Sequence, residues 1–235
     1  MLGLTPDFLL SAYAIGMFPM ANDYHDATIH WIEPRRRGII PLDGFHVPRS
    51  LGKALRRGRF QFRTDADFPA VIRACAEPTP DRPRTWLNPE LIELYVDLHR
   101  RGHAHSVETW QDGRLVGGLY GVKLGGAFFG ESMFSRVTDA SKAALVELVA
   151  RLRASGFVLL DTQFITEHLQ RFGAIEISRV EYMNRLRRAL PLVARFPTEP
   201  YPFWPSLVGG GTEPRSGAAS GGGSKGSAHS ITQTS

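Results

Sequence analysis

Hydrophobic positions along the chain change period several times, and each change marks an element. Phe128-Phe129-Gly130-Glu131-Ser132-Met133-Phe134-Ser135 and Phe157-Val158-Leu159-Leu160-Asp161-Thr162-Gln163 read as apolar strands that stop at polar side chains, Glu131 in the first and Asp161 and Gln163 in the second. Between them the pattern turns helical: Ala144, Leu145, Leu148, Val149 and Leu152 share a stripe, with Asp139 or Ser141 as N-cap and Ser155-Gly156 as stop. A strand, helix, strand unit crosses over right-handedly and lays its strands parallel, their carboxyl ends opening on a crevice where ligands usually bind. The unit therefore places Asp161 and Gln163 at the mouth of a site.

The rest of the pattern surrounds this unit. Thr5 caps a helix to Ala14 with Pro6 at its first position, and Trp31-Ile32 and Gly38 to Leu42 are short extended pieces separated by Pro34 and Arg35 to Arg37. These form a small N-terminal α/β layer, residues 1–46, ahead of a main domain, residues 47–207. In that domain a helix from Arg49 turns Leu51 and Leu55 inward, Arg59 to Arg63 alternates as a strand, Asp65 to Cys75 is helical, and Pro78 to Pro83 is a loop. Asn88-Pro89 opens a helix with a stripe of Leu91, Leu94, Tyr95 and Leu98, closed by Gly102. Ala104 to Trp110 and Leu115 to Val122 make a hairpin around Gln111-Asp112-Gly113-Arg114, and Gly125-Gly126 turns the chain into Ala127 to Phe129. After Gln163 come a short helix, Thr166 to Arg171, a strand, Ile175 to Ile177, and a helix to Leu190 that opens on the capping-box spacing of Ser178 and Glu181. From residue 208 to 235 the composition collapses to Gly, Ser, Thr and Ala, and a disordered tail is expected.

Composition narrows the classes. With 235 residues, 43% of them hydrophobic, the chain can bury a substantial core without help. One cysteine, Cys75, excludes an internal disulfide framework and fits a reducing compartment. No basic region precedes the apolar N-terminal residues and no apolar run is long enough for a bilayer, so a soluble, cytoplasmic protein with no membrane partner is expected, and a monomer. A net charge of +5 points to a polyanionic partner. Arg49, Lys53, Arg56, Arg57 and Arg59 supply much of it with no acid up to Arg63, and Arg49, Lys53 and Arg56 or Arg57 share one helix face. Such a face neutralises phosphates with salt-dependent affinity; the plainer alternative is a solvated surface.

The order of elements is that of an N-acetyltransferase-like (GNAT-like) α/β fold, a mixed sheet with flanking helices. Fold alone does not name the donor. Coenzyme A needs close backbone approach at the start of the central helix, where Ser135 to Ser141 has no glycine and Asp139 sets an anion in the way. His99, His103 and His105 find no cysteine or paired carboxylate nearby to complete a metal site, so no metal is expected. Ser132 lacks the Gly-x-Ser-x-Gly turn of a nucleophilic serine.

Several motifs together resemble the leucyl/phenylalanyl-tRNA-protein transferase family: Gly130 to Arg136 with Ala140-Ser141-Lys142, Leu160-Asp161-Thr162-Gln163, Gly102-His103-Ala104-His105-Ser106, Thr85-Trp86, and Tyr13 with Gly16-Met17-Phe18-Pro19. The resemblance runs from Leu4 to Trp204, without the extension that longer members carry ahead of the Tyr13 region and with an added tail. It implies transfer of Leu, Phe or Met from aminoacyl-tRNA to the α-amino group of proteins beginning with Arg or Lys, making an N-degron, with no cofactor. By the same resemblance Asp161 orients an amide and Gln163 is that amide, accepting a hydrogen bond from the attacking amine. Two apart on a strand, they share a face; the bland alternative is a turn cap and an exposed glutamine. Glu131 binds the acceptor's cationic side chain or takes its proton, unless it merely pairs with Arg136 or Lys142. Leu119, Phe128, Met133, Leu145, Leu148 and Leu160 are implied for the donor pocket, Trp86 for stacking on the terminal adenine, and the Arg49 to Arg59 face for docking tRNA. The rival readings are an acyl-CoA N-acetyltransferase, a leucyl transferase acting on acidic N-termini, and a non-catalytic tRNA-binding protein.

Overall fold

The strand, helix, strand unit does form, and it sits at the centre of the molecule. The computed structural model describes residues 4–80 and 83–208. Helix α1 (Pro6–Ala14) and the antiparallel pair β1 (Phe18–Met20) and β2 (His30–Ile32) come first, followed by β3 (Arg36–Ile40), α2 (Arg49–Arg56), β4 (Gln61–Thr64) and α3 (Phe68–Ala76). Next are α4 (Pro89–Arg100), β5 (Ala104–Gln111), β6 (Arg114–Leu124), β7 (Ala127–Ser135), α5 (Ala140–Ala154) and β8 (Leu159–Gln163). Then α6 (Glu167–Gln170), β9 (Ile175–Ser178), α7 (Arg179–Ala189) and α8 (Pro205–Val208) follow. Val208 thus ends a short helix that the sequence pattern does not announce; the rest of the expected tail lies outside the described residues.

Seven strands form one mixed sheet in the order β4-β5-β6-β7-β8-β3-β9. Among the described residues only β7 and β8 run parallel. The position of β3 changes the expected division at residue 46: this strand lies between β8 and β9, inside the main sheet. Its residues Arg37 to Ile40 are buried in succession, as an interior strand's must be, so it cannot belong to a separate outer layer.

Side-chain alternation then builds a core on each face of the sheet. Phe129, Tyr120 and Leu159 point into the layer made by α1, α3, α4 and α7, with Tyr13, Phe68, Tyr95 and Tyr182. Their neighbours Phe128, Leu119 and Leu160 point into the layer made by α2 and α5, with Leu51, Leu55, Leu145 and Leu148. Fully burying each such side chain stabilises the fold by about 1.5–3 kcal/mol.

Local signals hold at most helix ends. Thr5, Asn88 and Ser178 each accept a hydrogen bond from the backbone N–H three residues on. The capping box at Ser178 is half made, because Glu181 turns its carboxylate to Arg185 at 2.8 Å. Asp139 occupies the N-cap of α5 but adopts a left-handed φ of 70° and makes no capping bond; its carboxylate holds Lys142 instead. The orphan N–H of Ser141 is taken by Ser135 Oγ at 3.3 Å. In the β5–β6 hairpin Asp112 and Gly113 have φ of 50° and 73°, the left-handed pair that a two-residue turn matched to strand twist requires.

Candidate active site

The site exists because the parallel pair ends before its strands do. β7 and β8 are in register at Ala127–Leu159, Phe128–Leu160 and Phe129–Asp161, and beyond these rungs they separate. β7 itself does not stop at Glu131, as its polar side chain suggests, but continues along β6 to Ser135. What marks Glu131 is a bulge: Tyr120 faces Ser132 and Gly121 faces Gly130, leaving Glu131 as the extra residue. Bulges re-aim side chains in this way. Gly121 permits the close approach, since a Cβ on it would lie 2.3 Å from the Phe129 carbonyl oxygen.

Across the opening, Gln163 sits at the end of β8 with φ of 55°, a left-handed conformation uncommon for glutamine. Phe164 N–H bonds to the Thr162 carbonyl at 2.6 Å, so Gln163 is the centre of a tight three-residue turn. Strict strand alternation therefore fails at this residue, and Asp161 and Gln163 do not simply share a face. Asp161 is fully buried beneath the opening rather than at its mouth. Its Oδ1 accepts the backbone N–H of Gln163 at 2.8 Å, so it fixes the turn and not the side-chain amide.

The amide is held by Glu131. Gln163 Nε2 donates to Glu131 Oε1 at 3.1 Å, and Tyr13 and Tyr95 hydroxyls donate to Glu131 Oε1 and Oε2 at 2.7 Å and 3.1 Å. An ionised carboxylate only accepts, so Gln163 must present its NH2 to it and turn its carbonyl oxygen the other way, to the cavity it lines. Glu131 pairs with neither suggested cation: Arg136 reaches Glu77 and Lys142 reaches Asp139. Burial pushes the Glu131 carboxyl up to about 7; the charge of Asp161 adds to the rise, while the two tyrosines and Arg37 oppose it. Burial, then the charge of Glu131, raises both tyrosine hydroxyls well above their ordinary range.

Below, Asp161 forms the second half of the network. Arg37 Nη2 and Nε reach its two oxygens at 2.6 Å and 2.9 Å, and Tyr182 Oη donates to Oδ2 at 2.7 Å. The Arg37 guanidinium lies between the Phe18 and Tyr182 rings, 4.6 Å from each centroid, and bonds to the Gly16 carbonyl. Burial alone would lower the Arg37 pKa; the adjacent Asp161 charge and hydrogen bonds more than offset this, and it stays raised. Arg37, Tyr13, Tyr95, Tyr182 and Gly38 are site residues that the sequence reading did not assign. Parity was the available signal for Arg37, which stands two before Ile39 on one strand and so shares its inward face. For the tyrosines it was their place on apolar stripes, since a buried hydroxyl needs a partner. Gly38 pairs with Gln163, and a Cβ there would come within 2.7 Å of the Phe164 carbonyl group.

A cavity of about 390 Å³ opens beside Glu131 and Gln163. Trp86, Leu119, Met133, Leu145, Leu148 and Leu160 line it, together with Phe18, Met20, Phe164, His168, Leu169 and others. Phe128 does not: it is fully buried between Phe157 and Phe196, below the point where the strands part. Trp86 is half-buried, edge-on to Tyr95. The five cations Arg49, Lys53, Arg56, Arg57 and Arg59 are exposed on and after α2, and none makes an ion pair among the described residues. His99 and His105 are engaged structurally, stacked on Phe68 and Phe196 and bonded to the Ala104 carbonyl and Asp65. Among the described residues no helix is long and apolar enough to cross a membrane.

A site of this form has room for an apolar group beside an amide and a carboxylate, an arrangement suited to an acyltransferase. Kinship narrows the class. The family model of leucyl/phenylalanyl-tRNA protein transferase matches residues 39–187, and that of its N-terminal domain residues 3–35, so the chain belongs to this family. It is 61% identical over 193 residues to the leucyl/phenylalanyl-tRNA--protein transferase of Paramagnetospirillum magneticum, covering 82% of this chain and 92% of that one. To the protein of the same name from Rhizorhabdus wittichii it is 59% identical over 194 residues, 83% and 78% of the two chains. Among solved structures, L-PGS from Bacillus licheniformis aligns over 70% of this chain and 61% of that one with 17% identity and a TM-score of 0.38, too slight a likeness to argue from.

Proposed function

We propose that this protein transfers leucine or phenylalanine, and also methionine, from aminoacyl-tRNA to the α-amino group of proteins beginning with Arg or Lys, in the cytoplasm and as a monomer. The observation that carries the reading is the pairing of Glu131 and Gln163 at the edge of an apolar cavity. The donor side chain enters that cavity, Trp86 stacks on the terminal adenine, and the basic face from Arg49 to Arg59 takes phosphates. The amine nitrogen forms a bond to the ester carbonyl carbon, the bond from that carbon to the ribose oxygen breaks, and the amine proton ends on the ribose hydroxyl. An α-amine of pKa about 7.7–8.0 needs little help to be neutral, so positioning supplies much of the rate. Gln163 Oε1 accepts the N–H of the attacking amine; Asp161 and Arg37 hold the turn that aims it. Glu131 faces the acceptor's cationic side chain, and that cation in turn favours the ionised carboxylate. The product's new N-terminus is an N-degron read by proteolysis.

The test is transfer of labelled leucine from leucyl-tRNA, without coenzyme A, to two peptides that differ only in beginning with Arg or Asp. Labelling of the Arg peptide alone is expected. Labelling of the Asp peptide would overturn the acceptor assignment, and labelling of neither, with leucyl-tRNA still bound, would overturn catalysis itself.

A further inference from the structure

The first turn of α5 and the end of α6 bring together cations that the transfer chemistry above does not use. α5 starts shortly after β7 ends, so its first turn lies at the end of the sheet where β7 and β8 part. Leu145 lines the donor cavity; Lys142 is its neighbour on the same helix side, about 4.5 Å nearer the helix start. The Lys142 ammonium holds Asp139 at 2.7 Å and stays partly exposed, with N–H donors to spare. α6 contributes His168 and Leu169 to the same cavity, and Arg171, three residues after His168, shares its side of the turn. Arg171 is exposed and makes no ion pair among the described residues.

The field at this rim is positive. Burial, then the positive charges of Lys142 and Arg171, hold the His168 imidazole below its ordinary range, so both cations stand close enough to act on one ring. Nearby acids do not offset them: Asp139 is engaged by Lys142, while Glu167 and Asp43 are exposed and pair with no cation among the described residues. The rim also adjoins α2. His46 N–H donates to the Phe172 carbonyl at 3.0 Å and Phe45 stacks on the Phe172 ring, so the residue next to Arg171 is bonded to the chain that enters α2. From His46 to Arg49 that chain spans at most about 11 Å. Arg49, Arg171 and Lys142 thus mark a basic line from the α2 face to the donor cavity.

We propose that Arg171 and Lys142 hold the phosphate between the last two nucleotides of the donor RNA, a binding site that rests on the aminoacyl-tRNA reading above. The acyl group fills the apolar cavity, its ribose stands at the opening, and the next phosphate meets the cations at the rim. Arg171 can present two parallel N–H groups to phosphate oxygens, and Lys142 adds a compact charge. The same two cations repel an acceptor side chain that is itself Arg or Lys, and so leave it to Glu131.

The experiment measures kcat/KM with two short donors, 3′-leucyl-adenosine and its cytidylyl-(3′→5′) extension, which adds this phosphate. In Arg171→Gln the ratio of the second to the first is expected to fall about 5-fold, the upper weight of an exposed ion pair, and in Lys142→Gln at least as far, since Asp139 is then left unpaired. Asp139→Asn keeps the left-handed cap, which asparagine tolerates, and frees Lys142, so its ratio should exceed the parent's. Arg153→Gln, an exposed cation near the far end of α5, controls for net charge and should leave the ratio as it is. With whole leucyl-tRNA the slope of log K against log salt falls by about 0.7 in Arg171→Gln, one single-strand phosphate. An unchanged ratio in Arg171→Gln overturns the proposal, even with a lower salt slope, which would move the contact to another phosphate. An equal loss with both short donors also overturns it, as that means a structural or acceptor-side role. If the parent uses leucyl-tRNA but neither short donor, the salt slope decides, and an unchanged slope overturns it. A parent that transfers from no donor, leucyl-tRNA included, removes the underlying aminoacyl-tRNA reading, an outcome distinct from the others.

Discussion

Replacing Glu131 by glutamine should abolish transfer and yet stabilise the protein, by an amount that depends on pH. In the fold the carboxyl titrates at about 7 against an ordinary 4.5, with burial the main cause. A carboxyl whose folded pKa is raised destabilises the fold only when ionised. The penalty is absent below the unfolded pKa, grows as pH rises between the two values, and is complete above about 7. At about 1.4 kcal/mol for each pH unit of separation it reaches about 3 kcal/mol, and at pH 5 it is still under about 1 kcal/mol. Glutamine avoids the penalty and fits the network: its carbonyl oxygen accepts from Tyr13 and Gln163, its NH2 donates to the Tyr95 oxygen, and Tyr95 donates on to Tyr13, 2.8 Å away. Urea unfolding of both proteins at pH 5 and pH 8.5 reads the difference. The variant should be close to the parent at pH 5 and about 3 kcal/mol more stable at pH 8.5, or about 6–12 °C in midpoint for a chain of this size. Parallel pH profiles for the two proteins would refute the reasoning, because they would mean that Glu131 is not desolvated by the fold.

Two further substitutions probe the layer beneath. Arg37→Met leaves Asp161 charged, buried and short of its main partner, and should lower stability by about 3–5 kcal/mol, whereas Arg36→Met, whose pair with Glu176 is largely exposed, should lower it by under about 1 kcal/mol. Equal losses in denaturant midpoint would contradict the burial argument. Gly38→Ala sets a methyl group within 2.7 Å of the Phe164 carbonyl, so either β3 or the Gln163 turn must shift. About 1–3 kcal/mol of stability and most of the transfer rate should go, with leucyl-tRNA affinity kept, as separate binding and single-turnover assays would reveal.

Much of the fold was legible in the pattern. Helix stripes and caps, the hairpin turn at Asp112-Gly113 and the alternation that divides Phe128 from Phe129 all arise between residues within about four positions of one another, and the sequence displays those directly. The motifs around Glu131, Asp161, Gln163 and Trp86 carried the family as well, because each is contiguous. What only the tertiary structure decided is the placement of distant strands. The extra residue that makes Glu131 a bulge depends on how β7 registers against β6, and the early end of the β7–β8 pairing, which leaves Phe128 in the core and opens the cavity beyond it, depends on two strands meeting. The Arg37–Asp161 pair joins residues 124 positions apart, across a strand order that no local signal specifies. Periodicity tells a side chain which face to take; which partner it meets on that face is settled by packing, through the register in which the buried faces of separate strands fit together.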